Sequence, residues 1–430
     1  MANLAQLGKR VSAQYLASFQ NPGYAKMWFA SLSASSSAWA LIVARGALIL
    51  ELTGSPAWIG YVTFAAMIPS VMVSPIAGYL ADRYDRRTVM AWSFAVNLAQ
   101  IMVLAFLVAN GSVQPWHLVV LAVVNGTARS VQTPSSQALL VNMVPREQIT
   151  NAVSLFQVTF QGARFTGPVL ILAVLWFTDK PEWPFYLCAA LYVVGLGLAL
   201  SVRRASRGVV EAGRGMRVIM RNMVAGLGFM YHHPMVLSLV LLVVAHCGMT
   251  MSFESLLPVI SQERLGVESG AGVLSRFSLL MVGYGVGAIV AALYLAGVKA
   301  GGSRGRLLLW SGILSGLAPA GLAFSPNLMW AVLATAGMGF SQGGFMTLSA
   351  AMMQTIAPDE IRGRMMGVYN WHILGFMASF NMVNGTLVDF TGLSAAVVLA
   401  AGGIGFVAVA IMSLGGVHIR QLYSQGVPAT

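Results

Sequence analysis

The chain has 430 residues, 57% of them hydrophobic and only 9% charged, with a mean hydropathy of +0.75 and a formal net charge of +12. That balance excludes an ordinary water-soluble globule and a disordered chain, and it points to a lipid solvent. The basic excess would suit nucleic acid or an anionic surface, but its distribution along the chain ties it to membrane topology instead.

The first 20 residues are polar and lack a compact apolar core, so no cleaved signal peptide is expected. Apolar runs of about 20 residues follow, each long enough to cross a bilayer as a helix. Twelve spans are predicted: 27–52, 57–81, 88–110, 116–143, 149–176, 183–202, 235–262, 271–296, 305–324, 328–355, 364–388 and 393–416. None alternates as a barrel strand would. Between the sixth and seventh lies a basic stretch from Arg203 to Arg221, and 216–231 carries apolar residues near helical spacing. An interfacial helix is predicted there. The predicted division is a first six-helix bundle (1–202), a cytoplasmic basic linker (203–234) and a second six-helix bundle (235–430).

Lys9, Arg10, Lys26, Arg83, Arg86, Arg87, Arg146, the linker arginines, Lys299, Arg304, Arg306, Arg362, Arg364 and Arg420 fall on one side of this topology. Lys180, Arg264 and Arg276 fall on the other. The asymmetry predicts both termini in the cytoplasm and a multi-pass protein of a bacterial-type inner (plasma) membrane. Lipid headgroups are the expected partner of the basic face, and nucleic acid is not. Cys188 and Cys247 lie inside predicted spans and are expected to be small buried residues rather than a disulfide.

The halves repeat. Pro145-Arg146-Glu147 recurs as Pro358-Asp359-Glu360 after 213 residues, Pro22 recurs as Pro234 after 212, and Gly78 as Gly297 after 219. Nearly equal offsets argue for a duplicated six-helix unit, two parallel repeats about an axis along the membrane normal.

The stretch 78–87, Gly-Tyr-Leu-Ala-Asp-Arg-Tyr-Asp-Arg-Arg, holds five charges in ten residues between two apolar runs. It must be a tight loop at a membrane face. It resembles the loop between helices two and three of the major facilitator superfamily: Gly78, Leu80, Asp82, Arg83, Arg86 and Arg87 match, whereas Asp85 stands where that family usually has Gly. Two further stretches, from Val144 through Asn151-Ala152 to Ala163-Arg164-Phe165-Thr166-Gly167-Pro168 and the loop 358–367, resemble the enterobactin-exporter and macrolide-efflux-like branch. The resemblance covers nearly the whole chain. It implies an all-α integral membrane fold of twelve helices in two pseudo-twofold-related bundles, and a secondary transporter working by alternating access. It also implies a gating set of Gly78, Asp82, Arg83, Arg86, Arg87, Arg362 and Arg364, in which Asp82 would meet the start of helix eleven when the cytoplasmic side is closed. Gln132 and Ser136 flank Pro134 where members often carry an acid and an Arg, and Gly167-Pro168 continues as Val169-Leu170. Both departures weaken transfer of a detailed proton-coupling scheme.

Arg45, Arg129 and Arg164 lie at membrane depth, where each charge costs about 2.5–3.5 kcal/mol and so needs a cavity or a partner. They are candidate substrate-binding residues for anionic or hydrogen-bond-accepting groups; the alternative is structural bonding to carbonyls and helix ends. Glu254 is the one carboxylate well inside a predicted helix, at the depth of Arg45 across the pseudo-twofold axis. It is a candidate both for substrate binding and as proton carrier, against a permanent ion pair with Arg45. Asp389, near an external helix end, is the second proton-coupling candidate; it and Glu51 also read as rim charges. His246, Thr250 and Glu254 are spaced by four, so a continuous helix puts them on one face. With His372 in helix eleven, His246 is a substrate-contact candidate, and the pair raises a transition-metal alternative, although no regular ligand spacing supports a metal site.

No nucleotide-binding loop, cofactor site or nucleophile–base pair is present in the sequence, so neither an enzyme nor a cofactor is expected. The leading expectation is proton-coupled export of a small siderophore- or drug-like compound by a monomer. The alternatives are transition-metal export through helices seven and eleven, and a membrane receptor or assembly factor that has lost transport.

Overall fold

A computed structural model describes residues 16–202, 216–267, 270–298 and 302–426, with 74–83 described by backbone alone. The regular structure among these residues is helical. The first six long helices are α1 (Pro22–Thr53), α2 (Pro56–Arg83), α3 (Arg86–Ala109), α4 (Pro115–Val141), α5 (Ile149–Leu175) and α6 (Trp183–Leu200). A linker helix, α7 (Met216–His232), follows. The second set is α8 (Pro234–His246), α9 (Leu257–Leu265), α10 (Gly270–Ala296), α11 (Gly302–Ala323), α12 (Leu328–Ile356), α13 (Asp359–Thr391) and α14 (Ala395–Met412), ending in a short α15 (Val417–Gln425).

Local chemistry sets these boundaries. Proline opens α1, α2, α4 and α8, where its missing N–H costs nothing. Glycines with left-handed backbone close α1 at Gly54, α9 at Gly266 and α13 at Gly392. Asp85 caps α3, its carboxylate accepting from the Thr88 N–H at 2.9 Å. The residue that departs from the family pattern therefore has a structural task. Pro358 precedes α13, and Asp359 and Glu360 in its first turn favour the positive helix end. The stretch 358–367, expected as a loop, is thus largely the first turns of a 33-residue helix.

Among the described residues, ten segments are long and apolar enough to cross a membrane. The fourth and tenth predicted spans, α4 and α12, are not among them, although they have 27 and 29 residues. Their polar side chains face protein: Asn125, Gln132, Ser135 and Ser136 of α4 are buried, as are Thr335, Ser341, Gln342 and Ser349 of α12. Asn125 donates to Asn97 of α3 at 2.7 Å, a bond that fits the bundle interior.

The seventh predicted span differs most from expectation. It is broken into α8, a π-helical turn at Cys247–Met251, an irregular stretch 252–256, and α9. Pro258 is the physical reason: in a continuous helix its ring would press on the carbonyl four residues back, that of Glu254, and it supplies no N–H. Neighbouring helices satisfy the freed backbone. Asn384 of α13 donates to the Ser252 carbonyl at 2.6 Å, Asn381 accepts from the Ser255 N–H at 3.1 Å, and Gln342 of α12 donates to the Thr250 carbonyl at 2.9 Å. Irregular backbone at membrane depth survives only with such partners.

Helices α1 to α6 pack chiefly among themselves, and so do α10, α11, α12 and α14. The two sets meet along α2 with α13 and α5 with α10. Both contacts are close: a Cβ at Gly385 of α13 would strike the Pro56 carbonyl, and one at Gly285 of α10 would lie 2.8 Å from the Phe165 nitrogen. The linker helix α7 lies on α13 and also touches α2.

Candidate functional site

The break in the seventh span puts Glu254 into a small cavity of about 40 Å³. Arg45 and Ile42 of α1, Thr63 and Met67 of α2, and Arg129 of α4 line it with the carboxylate. Arg45 is 4% exposed and Glu254 8%. Glu254 therefore stands outside any helix, in a turn, rather than well inside one as the sequence suggested. It lies in the electric field of Arg164, Arg129 and Arg45. Neither Arg45 nor Arg129 forms an ion pair with it, so the permanent Arg45–Glu254 pair is absent from this conformation. A space of 40 Å³ holds water but no drug-sized cargo, which takes about 300–1,000 Å³. The site is closed around its charges.

Arg164 of α5 has a different setting. Its Nη1 donates to the Tyr284 hydroxyl of α10 at 3.0 Å. The guanidinium carbon lies 4.7 Å from the centre of the Trp39 ring and 5.3 Å from that of Tyr284. Its Nε is buried with no partner. Tyr284 and Trp39 were not foreseen from sequence: Tyr284 hides in a glycine run that reads as packing, and Trp39 in an apolar span.

The histidines do not join this site. His246 is wholly buried, stacked on Phe345 at 4.2 Å and edge-on to Phe406, and both ring nitrogens lack partners. The expectation that His246, Thr250 and Glu254 share one helical face fails, because the π-helical turn and the break change the register between them. The Thr250 hydroxyl turns back to the His246 carbonyl at 2.8 Å. Both nitrogens of His372 are engaged, Nε2 with the Tyr231 hydroxyl of α7 at 2.9 Å and Nδ1 with the Val368 carbonyl at 2.8 Å. Among the described residues no group of three His, Cys, Asp or Glu is placed to hold a metal ion.

Asp389 lies at the far end of α13, where it accepts from the Ser55 hydroxyl just before α2. It lines an open surface pocket of about 460 Å³ with Glu263 and Arg264, away from the Glu254 cavity. Of the gating candidates, Gly78, Asp82 and Arg83 fall in the stretch described by backbone alone, so the contacts expected of Asp82 and Arg83 lie outside the described residues. Arg87 donates to the carbonyls of Ala199, at 3.2 Å, and Leu200, fastening the start of α3 to the end of α6. Arg86 is also engaged. Arg362 pairs with Asp359 at 2.5 Å and donates to the Gln354 carbonyl at 2.8 Å, closing the turn between α12 and α13. Arg364 is exposed, and its backbone carbonyl lies against Gly226 of α7.

Residues 13–425 match the family model described as a transmembrane secretion effector. The multidrug efflux pump Tap of Mycolicibacterium fortuitum is 26% identical over 381 residues, 85% of this chain and 89% of that protein. The staphyloferrin A transporter of Staphylococcus aureus is 22% identical over 322 residues, 74% of this chain and 78% of that one. Among solved structures, a POT family transporter in complex with 5-aminolevulinic acid superposes with a TM-score of 0.70 at 13% identity, covering 92% of this chain and 96% of that chain, a likeness of fold alone.

Proposed function

The chain belongs to the transmembrane secretion effector family, in the efflux branch of the major facilitator transporters, and on that premise we propose that it exports a small drug- or siderophore-like compound in exchange for protons. It is a membrane transporter and not an enzyme. In the proposed cycle the halves 1–202 and 235–430, joined by the linker 203–234, rock about the central cavity, as expected for two parallel repeats. The protein works as a monomer in a bacterial-type inner membrane with both termini cytoplasmic.

The observation that carries this reading is Glu254. It is a buried carboxylate in a helix break, bordering a cavity shared with two arginines and ion-paired to neither. Burial disfavours the charged form of a carboxyl group, while nearby cations favour it. Small changes in cavity water or cargo therefore shift the balance between the two forms, as a reversible proton carrier needs. Three arginines against one carboxylate leave the site cationic when Glu254 is charged, which suits anionic or oxygen-rich cargo. Relatives named for a multidrug pump and for staphyloferrin A are compatible with organic cargo. The gating residues of the second-to-third helix loop, Asp82 foremost, would hold the cytoplasmic side closed.

The test is reconstituted transport under an imposed pH gradient. Glu254→Gln, which mimics the protonated side chain, should abolish gradient-driven export and leave cargo exchange without a gradient. Full gradient-driven export by the variant would remove Glu254 from the proton path.

A further inference from the structure

Arg164 connects the two helical sets at the depth of the cavity. It stems from α5, and its cradle is shared: Trp39 belongs to α1 and Tyr284 to α10. The Tyr284 ring in turn packs against that of Phe253, with centroids 5.0 Å apart, and Phe253 is the residue next to Glu254. A chain of contacts thus runs from the helix break through Tyr284 to Arg164 and on to the first bundle.

Two features of this chain are unfinished. The Arg164 guanidinium holds one hydrogen bond to Tyr284 and keeps a buried Nε without a partner. Glu254, in the field of that same guanidinium, has no ion pair. A neutral phenol is a weak acceptor for a guanidinium, whereas a carboxylate forms bonds about twice as strong.

We propose that Arg164 exchanges partners between the Tyr284 hydroxyl and the Glu254 carboxylate as Glu254 loses and regains its proton. With Glu254 protonated, Arg164 rests on Tyr284, the arrangement described above. On deprotonation the carboxyl O–H bond breaks and the proton leaves to water in the opened cavity. The guanidinium stays protonated, releases the phenol oxygen and forms a charge-assisted bond to the carboxylate. Tyr284 is then a positioning residue: it acts on proton transfer only through Arg164. Arg45 of α1 and Arg129 of α4 line the Glu254 cavity as well, and among the described residues neither donates a hydrogen bond to a competing side chain that would make it exchange. Because Arg164 comes from the first bundle and both its partners from the second, the exchange transmits the charge of Glu254 to the contact between bundles. This inference rests on the proton-carrier reading of Glu254.

The full-length protein in phosphatidylcholine vesicles, titrated by infrared difference spectroscopy, tests it. The carboxyl band missing from Glu254→Gln identifies Glu254. Tyr284→Phe removes the competing acceptor and keeps the ring, so the pH at which that band reaches half height should fall by about one unit. Tyr284→Gln, which returns an acceptor oxygen, should restore most of the shift. Trp39→Leu, which removes the opposite wall of the cradle, should move the pH the same way and serves if Tyr284→Phe inserts poorly. A half-height pH that stays put in Tyr284→Phe or Trp39→Leu, with wild-type melting, overturns the exchange and leaves Glu254 as carrier. Absence of any band specific to Glu254 overturns both readings.

Discussion

Asn381 reaches from α13 to the broken seventh span, where its side-chain oxygen accepts the Ser255 N–H at 3.1 Å while its amide nitrogen donates to the Met377 carbonyl at 3.0 Å. It is wholly buried. One side chain thus satisfies its own helix and the backbone beside Glu254. Asn381→Leu removes the acceptor and strands a buried N–H, a loss of about 1–3 kcal/mol. The expected outcome is correct insertion with a melting temperature several degrees lower in detergent. Asn381→Asp keeps an acceptor at this place and should melt closer to wild type, but it adds a second acid beside the cavity and should alter the pH profile of transport.

The substrate charge follows from the arginines. Arg45 and Arg129 share the Glu254 cavity and have no carboxylate bonded to them. Arg45→Gln or Arg129→Gln should weaken an anionic or oxygen-rich cargo about tenfold, equivalent to about 1.4 kcal/mol, and affect cations less. Competition of test compounds of each charge for transport checks this. Equal losses for both classes would assign the arginines to structure.

Much of the fold is legible in the sequence, because a bilayer imposes lengths that apolar runs declare. Eleven of the twelve predicted spans each fall on one helix, the seventh falls on the broken pair α8 and α9, and the linker helix predicted at 216–231 is α7 at Met216–His232. The break at 252–256 was not foreseen, although its cause, Pro258, stands in the sequence. An apolar window averages over a proline, and the partners that make a break tolerable, Asn381, Asn384 and Gln342, come from other helices. The same limit applies to the site. Membrane-depth charges mark Arg45, Arg129, Arg164 and Glu254 by their cost, whichever way they face. Tyr284 has no such cost and becomes visible only once α5 meets α10. His246 shows the converse: its spacing from Glu254 looks functional until the π-helical turn separates the two.

The contact of α2 with α13 depends on the missing side chain of Gly385. A Cβ there would press on the Pro56 carbonyl and lie 3.3 Å from the Gly60 nitrogen. Gly385→Val should force the helices apart at this end, at a cost of about 1–3 kcal/mol. The expected result is a shift toward the state open on the face where Ser55 and Asp389 lie. A cysteine introduced at Ser55 should then react faster with a polar maleimide in Gly385→Val than without it. Unchanged reactivity would mean that this crossing does not close that face.

Asp389 and Glu254 are the two acids offered as proton carriers, and their settings separate them. Asp389 sits at an open surface pocket and accepts from Ser55 across the end of the α2–α13 contact. It is exposed there and lies apart from the Arg45 and Arg129 side chains that line the Glu254 cavity. Glu254 is walled from solvent, and its charge is costly or favourable according to where the arginines stand. Asp389→Asn should therefore retain pH-driven export, and because its amide oxygen still accepts from Ser55, labelling of a cysteine placed beside it should change little. Glu254→Gln should lose pH-driven export at every pH tested. It should also retain most of its thermal stability, because no direct pair is broken, although Arg45, Arg129 and Arg164 then lack this counter-charge. A large drop in melting temperature for Glu254→Gln would instead reveal that the carboxylate is charged at rest and holds those arginines in place. Loss of coupling in Asp389→Asn, with Glu254→Gln unaffected, would transfer the carrier role to the outer end of α13.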